Sequence, residues 1–91
     1  MIKYKTNEEV EVMRQNATTI SRILAEMAKV LKPGMTTLQI DEQCRQMILD
    51  EGGTPTFYKY HGYPFHICAS VNEVVVHGFP NDQALKEGDI I

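Results

Sequence analysis

Few side chains in this sequence are equipped for chemistry: His61, His66 and His77, the thiols Cys44 and Cys68, the hydroxyl of Ser70 and a group of carboxylates. A zinc centre needs three or four ligands at spacings that local structure can bring together. His66 and Cys68 alternate onto one face of an extended run, yet no HxxxH, CxxC or HExxH accompanies them. They read as a polar pair at a sheet surface. Ser70 sits in Ala-Ser-Val without the glycines of a nucleophile elbow. Asp41, Glu42, Asp50 and Glu51 fall on a helical stretch, where solvated charge is the expected role. His77 differs in kind, because it ends the apolar run Val74-Val75-Val76 and is followed at once by Gly78-Phe79-Pro80. An imidazole at a strand end can donate and accept hydrogen bonds near neutral pH. The aromatic loop Tyr60-His61-Gly62-Tyr63-Pro64 is available to wall the same cleft. From the residues alone two readings stand: a cleft histidine, or a histidine that only tops a sheet.

The elements that must position these groups are legible from period and caps. Thr6 with Glu9 forms a capping box. After it Val10, Met13, Ala17, Ile20, Leu24, Met27 and Leu31 recur at spacings of three and four, one apolar stripe. Lys29 and Lys32 suit the negative end of the helix dipole, and Pro33-Gly34 ends the helix. A second helix starts at Thr36 or Thr37, buries Ile40, Cys44, Met47 and Ile48, and closes at Gly52-Gly53. The period then changes to two. Thr56-Tyr58 is a short predicted strand, and 65–71 and 74–77 are predicted to pair as a hairpin across Asn72-Glu73. Two further turns follow, at Pro80-Asn81-Asp82 and at Leu85–Asp89. The expected fold class is therefore α/β (α+β), two helices packed on a partial antiparallel sheet.

Totals narrow the function classes. Ninety-one residues suffice for one small domain. A net charge of −3 lacks the basic stripe of a nucleic-acid binder. No apolar run approaches a membrane span, and the first residues carry no signal-peptide core, so the expected compartment is the cytoplasm. Two cysteines outside any CxxC pair fit that compartment as small buried residues without a disulfide.

The order of motifs carries a resemblance. Lys5-Thr6, Glu8-Glu9 and Met13-Arg14 are followed by Lys32-Pro33-Gly34-Met35-Thr36-Thr37 and Asp41. Then come Tyr60-His61-Gly62-Tyr63-Pro64, the run from Ser70 to Pro80, and Leu85 with Gly88-Asp89-Ile90-Ile91. Nearly end to end, the sequence resembles the N-terminal part of the type I methionine aminopeptidases of peptidase family M24. The segment from Tyr60 to Pro80 is the most specific part of the likeness.

The resemblance implies the N-terminal half of a pita-bread fold, residues 1–91 being a truncated portion of a single aminopeptidase domain. It implies the family's activity, removal of the initiator methionine from nascent proteins. It also implies roles. His77 hydrogen-bonds the substrate beside the scissile amide, Tyr60 and Tyr63 line the pocket for the methionine side chain, and Phe57 stands at a further pocket wall. Asn72 and Val74 match a turn that offers oxygens to a monovalent cation in some members. The complete family enzyme holds two divalent metal ions, whose identity the resemblance does not name. Its ligands, two aspartates, one histidine and two glutamates, match no residue up to Ile91, so no metal is expected on these residues and the 91 residues alone are expected to be inactive and marginally folded. The implied partners are the N-terminal methionine of nascent peptides and, as the family allows, the ribosome; the complete enzyme is expected to be a monomer, with no nucleic acid or membrane of its own. A second reading is a non-catalytic pita-bread module that binds a peptide or partner protein.

Overall fold

The computed structural model describes residues 1–91. Helix α1 spans Asn7–Val30 and helix α2 spans Thr37–Asp50. Both begin with a reciprocal capping box. Thr6 Oγ1 accepts the Glu9 N–H while the Glu9 carboxylate accepts the Thr6 N–H, and Thr36 does the same with Gln39. Of the two threonines able to cap α2, Thr36 takes the role.

At 1.5 Å per residue α1 is about 36 Å long and α2 about 21 Å. A helix of that length inside a molecule of 44 × 28 × 21 Å can only lie near its long axis. The shorter partner leaves half of α1 uncovered. Ile23 and Met27 are its only buried residues, whereas Val10, Met13, Ile20 and Leu24 are exposed. The expected seven-residue stripe is thus corrected: spacing marks the face that can be buried, but burial needs a surface opposite. The core gathers Met27, Met35, Ile40, Cys44 and Leu85, with Leu31, Met47, Ile67 and Val71 packed on it.

The partial antiparallel sheet is also corrected. No strand forms, and the extended pairing reduces to one isolated bridge, Thr36 with Ala84. Apart from the bond that closes the turn, one backbone bond links the expected arms, Ala69 N–H to the carbonyl of Gly78, one residue past the second arm, at 2.8 Å. Two local features stop the ladder. Asn72 and His77 both adopt left-handed backbone (φ 54° and 59°), which turns the second arm out of the pleat at each end. The Ser70 hydroxyl then accepts the Gly78 N–H that a carbonyl would have taken in a ladder. The Asn72-Glu73 turn itself is present, closed by Val74 N–H to the Val71 carbonyl. Thr56–Tyr58 is not a strand but the start of consecutive turns, which run through left-handed Lys59 into a single 3-10 turn at Tyr60–Gly62.

Long-range bonds hold this irregular half to the helices. Thr37, 2% exposed, donates its hydroxyl to the Asn81 carbonyl and accepts the Asn81 N–H at 2.7 Å. The same Asn81 carbonyl takes the free Leu38 N–H at the start of α2. Gly34 and Met35 pair with Leu85 on both sides of its peptide. The expected turn at Leu85–Asp89 is present, with the Asp89 carboxylate accepting the Lys86 N–H and the Asn72 amide. Those two bonds, the Lys86 one first, hold the Asp89 carboxyl below its usual range.

Candidate functional site

A concavity of about 690 Å³ opens on the irregular half. Its wall includes Phe57, Tyr60, Tyr63 and His77, all four residues singled out in the sequence, together with His61, Cys68 and Phe79. Apart from Cys68, the chain reaches it in two passes. Residues 57–64 arrive as a chain of turns, and residues 77–79 arrive at the end of the valine run.

Tyr63 is the centre of the wall. Its ring meets Phe57 edge-to-face at 6.4 Å, Phe65 at 6.1 Å and Phe79 at 5.0 Å. Phe65 and Phe79 close the cluster at 5.7 Å. Such perpendicular pairs put a ring's positive edge on its neighbour's negative face, which fixes orientation as well as contact. The Tyr63 hydroxyl donates to the Ile67 carbonyl at 2.7 Å. Burial, then the neighbouring Cys68 thiol and the charge of Asp41, push this phenol up to about 12. It is therefore a neutral hydrogen-bond donor at any physiological pH.

His77 and His61 stand at the rim, both exposed and both with left-handed backbone (φ 59° and 48°). A histidine in that region stores strain, and such strain concentrates where a side chain must be aimed. Gly78 beside His77 is required for space. A Cβ there would lie 2.3 Å from the Ala69 carbonyl oxygen and 2.9 Å from Ser70 Cα. The strand-end expectation for His77 is corrected, since no strand forms there: His77 makes a sharp left-handed turn and Gly78 permits the close approach.

Behind the wall lies a group that the sequence reading placed in solvent. Asp41 of α2 is 5% exposed. Its Oδ1 accepts the His66 N–H at 2.8 Å and the Ile67 N–H at 2.9 Å. The His66 ring nitrogen Nδ1 stands 2.8 Å from Oδ2, the geometry of an N–H donated to a carboxylate. Three donors offset the cost of burying the charge. The other face of the His66 ring problem is solved by Tyr58, stacked on it at 4.6 Å. His66 and Cys68, expected as a pair on one sheet face, have separate jobs: His66 turns inward to Asp41, and Cys68 lines the concavity. A signal for Asp41 was available, since it precedes Cys44 by three and Ile48 by seven, the spacing of the buried stripe itself. Cys44, on that stripe, is buried with its thiol pushed up by desolvation and by Asp41. Neither cysteine is in a disulfide.

Nowhere do three His, Cys, Asp or Glu side chains converge as a metal site would require. His66 is already engaged, and His61 and His77 reach the concavity with no carboxylate among its lining residues. The residues of this chain do not fit a two-metal centre, and what they offer is a largely apolar receptacle with two imidazoles, His61 and His77, at its rim. No helix is long and apolar enough to cross a membrane.

Known proteins resemble this chain in sequence and in fold. Methionine aminopeptidase 1 of Bacillus subtilis is 40% identical over 91 residues, which is all of this chain and 37% of that protein. Methionine aminopeptidase of Salmonella typhimurium is 40% identical over 92 residues, covering 99% of this chain and 35% of that one. Among solved structures, methionine aminopeptidase from Rickettsia prowazekii superposes with a TM-score of 0.92 at 36% identity, over 98% of this chain and 36% of that chain. The Thermotoga maritima enzyme gives 0.89 at 37% identity over the same shares. Both have the pita-bread fold that the motifs implied. The chain therefore spans about a third of the length of the relatives it matches. The sequence profile of metallopeptidase family M24 matches residues 11–91, and with that match the chain belongs to metallopeptidase family M24.

Proposed function

We propose that this chain carries the methionine pocket and the substrate-orienting histidine of a methionine aminopeptidase, which removes the initiator methionine from nascent proteins. The observation that carries this reading is the gathering of Phe57, Tyr60, Tyr63 and His77 around one concavity of about 690 Å³. That size falls within the range of small-ligand sites, and a largely apolar wall with a few polar groups is their usual composition. A thioether suits aromatic walls, each sulfur–ring contact contributing about 0.3–1.5 kcal/mol. His77 at the rim, on this reading, hydrogen-bonds the peptide backbone of a substrate whose side chain is inside, which its place in the lining supports. On this reading the 91 residues are part of a single aminopeptidase domain, and the substrate is the N-terminal methionine of nascent peptides in the cytoplasm.

These residues bind and orient. A single positioned acid–base group supplies only about 10²–10⁴-fold in rate, so the 91-residue chain by itself is expected to release no measurable methionine. Binding is the property to test. In an NMR titration of the 91-residue chain with Met-Ala-Ser, saturable amide shifts are expected at Tyr60, Gly62, Tyr63, His77 and Gly78. Gly-Ala-Ser should leave them in place. Equal response to both peptides would favour a partner-binding module that does not read the side chain, and no response to either would sink the pocket assignment.

A further inference from the structure

The aromatic wall has no ladder to stiffen it, and yet its rings meet at defined angles. What fixes them is traced through Asp41. Its carboxylate binds the backbone N–H groups of both His66 and Ile67. The Ile67 carbonyl, on the far side of the same residue, accepts the Tyr63 hydroxyl. Through the His66 ring it also reaches the other end of the wall, because Tyr58 is stacked on that ring and is bonded in sequence to Phe57. One buried oxygen pair on a rigid helix thereby holds both ends of the 57–63 segment. α2 is in turn tied to the 80s loop by Thr37, so the clamp is anchored on a helix that is itself held at its start by tertiary hydrogen bonds.

We propose that Asp41 is the positioning residue of the concavity, acting through the Ile67 peptide on Tyr63 and through His66 on Tyr58. This rests on the reading of the concavity as a methionine pocket for its functional meaning, but not for its geometry. A charge-assisted acceptor holding two peptide N–H groups at once is stronger than a neutral one and cannot be replaced by water in a buried position. Asn at this position keeps an oxygen able to accept both peptide N–H groups but loses the charge that strengthens the bonds. The Tyr63 phenol reports on the clamp, since it lies at the end of the chain of bonds.

The test uses the 91-residue chain and the variants Asp41→Asn, Tyr63→Phe and both together. Asp41→Asn is expected to weaken Met-Ala-Ser binding about tenfold, the cost of one charge-assisted bond replaced by a neutral one. Because both variants break the same chain of bonds, the double variant should bind no worse than Asp41→Asn alone. A product of the two single effects would mean that Asp41 acts merely on stability, and would overturn the proposal. Two measurements read the clamp without peptide. The Tyr63 ring signals should shift in Asp41→Asn, and in the unmutated chain the His66 and Ile67 amides should exchange with solvent far more slowly than random-coil amides. Unchanged ring signals would overturn the clamp, and so would random-coil exchange, which is read in the unmutated chain even if Asp41→Asn is too unstable to study. Failure of the unmutated chain to bind Met-Ala-Ser, with protected amides and shifted ring signals, would remove the pocket assignment and leave the clamp standing.

Discussion

Helix α1 and the segment from Phe57 to Pro80 are of equal length and are held in opposite ways. α1 makes its bonds to residues three and four positions away: a capping box at Thr6, an ion pair from Arg14 to Glu11 and another from Lys29 to Glu26. Its one long-range ion pair, Arg22 with Glu51, is exposed and contributes little. The segment 57–80 has almost no regular bonding of its own. It is fixed by side chains that do not belong to a repeating ladder, Asp41 of α2 for residues 66 and 67 and, within the segment, Ser70 for residue 78. The region with local bonds exposes most of its apolar stripe. The region with borrowed bonds makes the pocket. Shape-specific chemistry is found where the chain is over-determined by distant contacts, because only such contacts can hold non-repeating geometry.

The comparison can be broken most severely at Gly78. Gly78→Ala would drive a methyl group into the Ala69 carbonyl and Ser70 backbone. A loss of about 3 kcal/mol is expected, seen as an early loss of the aromatic cluster's near-ultraviolet signal while helical ellipticity persists. Next in size is Thr37→Val. It keeps the shape and removes the hydroxyl, leaving the Asn81 N–H without its partner. A cost of about 2 kcal/mol is expected in urea denaturation.

His77→Gly should act in the other direction. It relieves a left-handed histidine, so the melting temperature should rise, by the equivalent of about 1 kcal/mol, while Met-Ala-Ser binding weakens. A fall in stability would show that His77 is held by contacts rather than strained against them. Thr6→Ala is expected to cost about 1 kcal/mol, confined to fraying of the first turn of α1 and without effect on peptide binding. An effect of Thr6→Ala on the pocket would contradict the separation of the two regions.

The smallest effect is a pH dependence. The fold holds the Tyr63 phenol protonated, so the folded chain binds that proton more tightly than the unfolded one. The contribution is fully present below the ordinary tyrosine value of 10.0 and is lost as pH rises from there through about 12. Stability measured between those values should fall for the unmutated chain and fall less for Tyr63→Phe.

Much of the pocket was legible beforehand, and not from periodicity. Phe57, Tyr60, Tyr63 and His77 were picked out by their place in motifs that resemble a known family, and they do line one concavity. Periodicity located α1, α2 and the Asn72-Glu73 turn, since a helix or a tight turn is decided by residues within about four positions. It failed at the hairpin, because alternation says which side chains share a face and not whether the backbone finds a partner.

What the sequence determined by itself is thus local: two helices with their capping boxes, the Pro33-Gly34 stop and the Leu85–Asp89 turn, each set by neighbours in the chain. The tertiary structure alone decided how little of the α1 stripe is buried, that Ser70 rather than a carbonyl takes the Gly78 N–H, and that Asp41 leaves solvent to hold His66 and Ile67. Each of those depends on a partner 8 to 26 residues away or on the length of a facing helix. A buried carboxylate has no local reason to be buried; it becomes favourable only when the fold brings it donors enough to replace water.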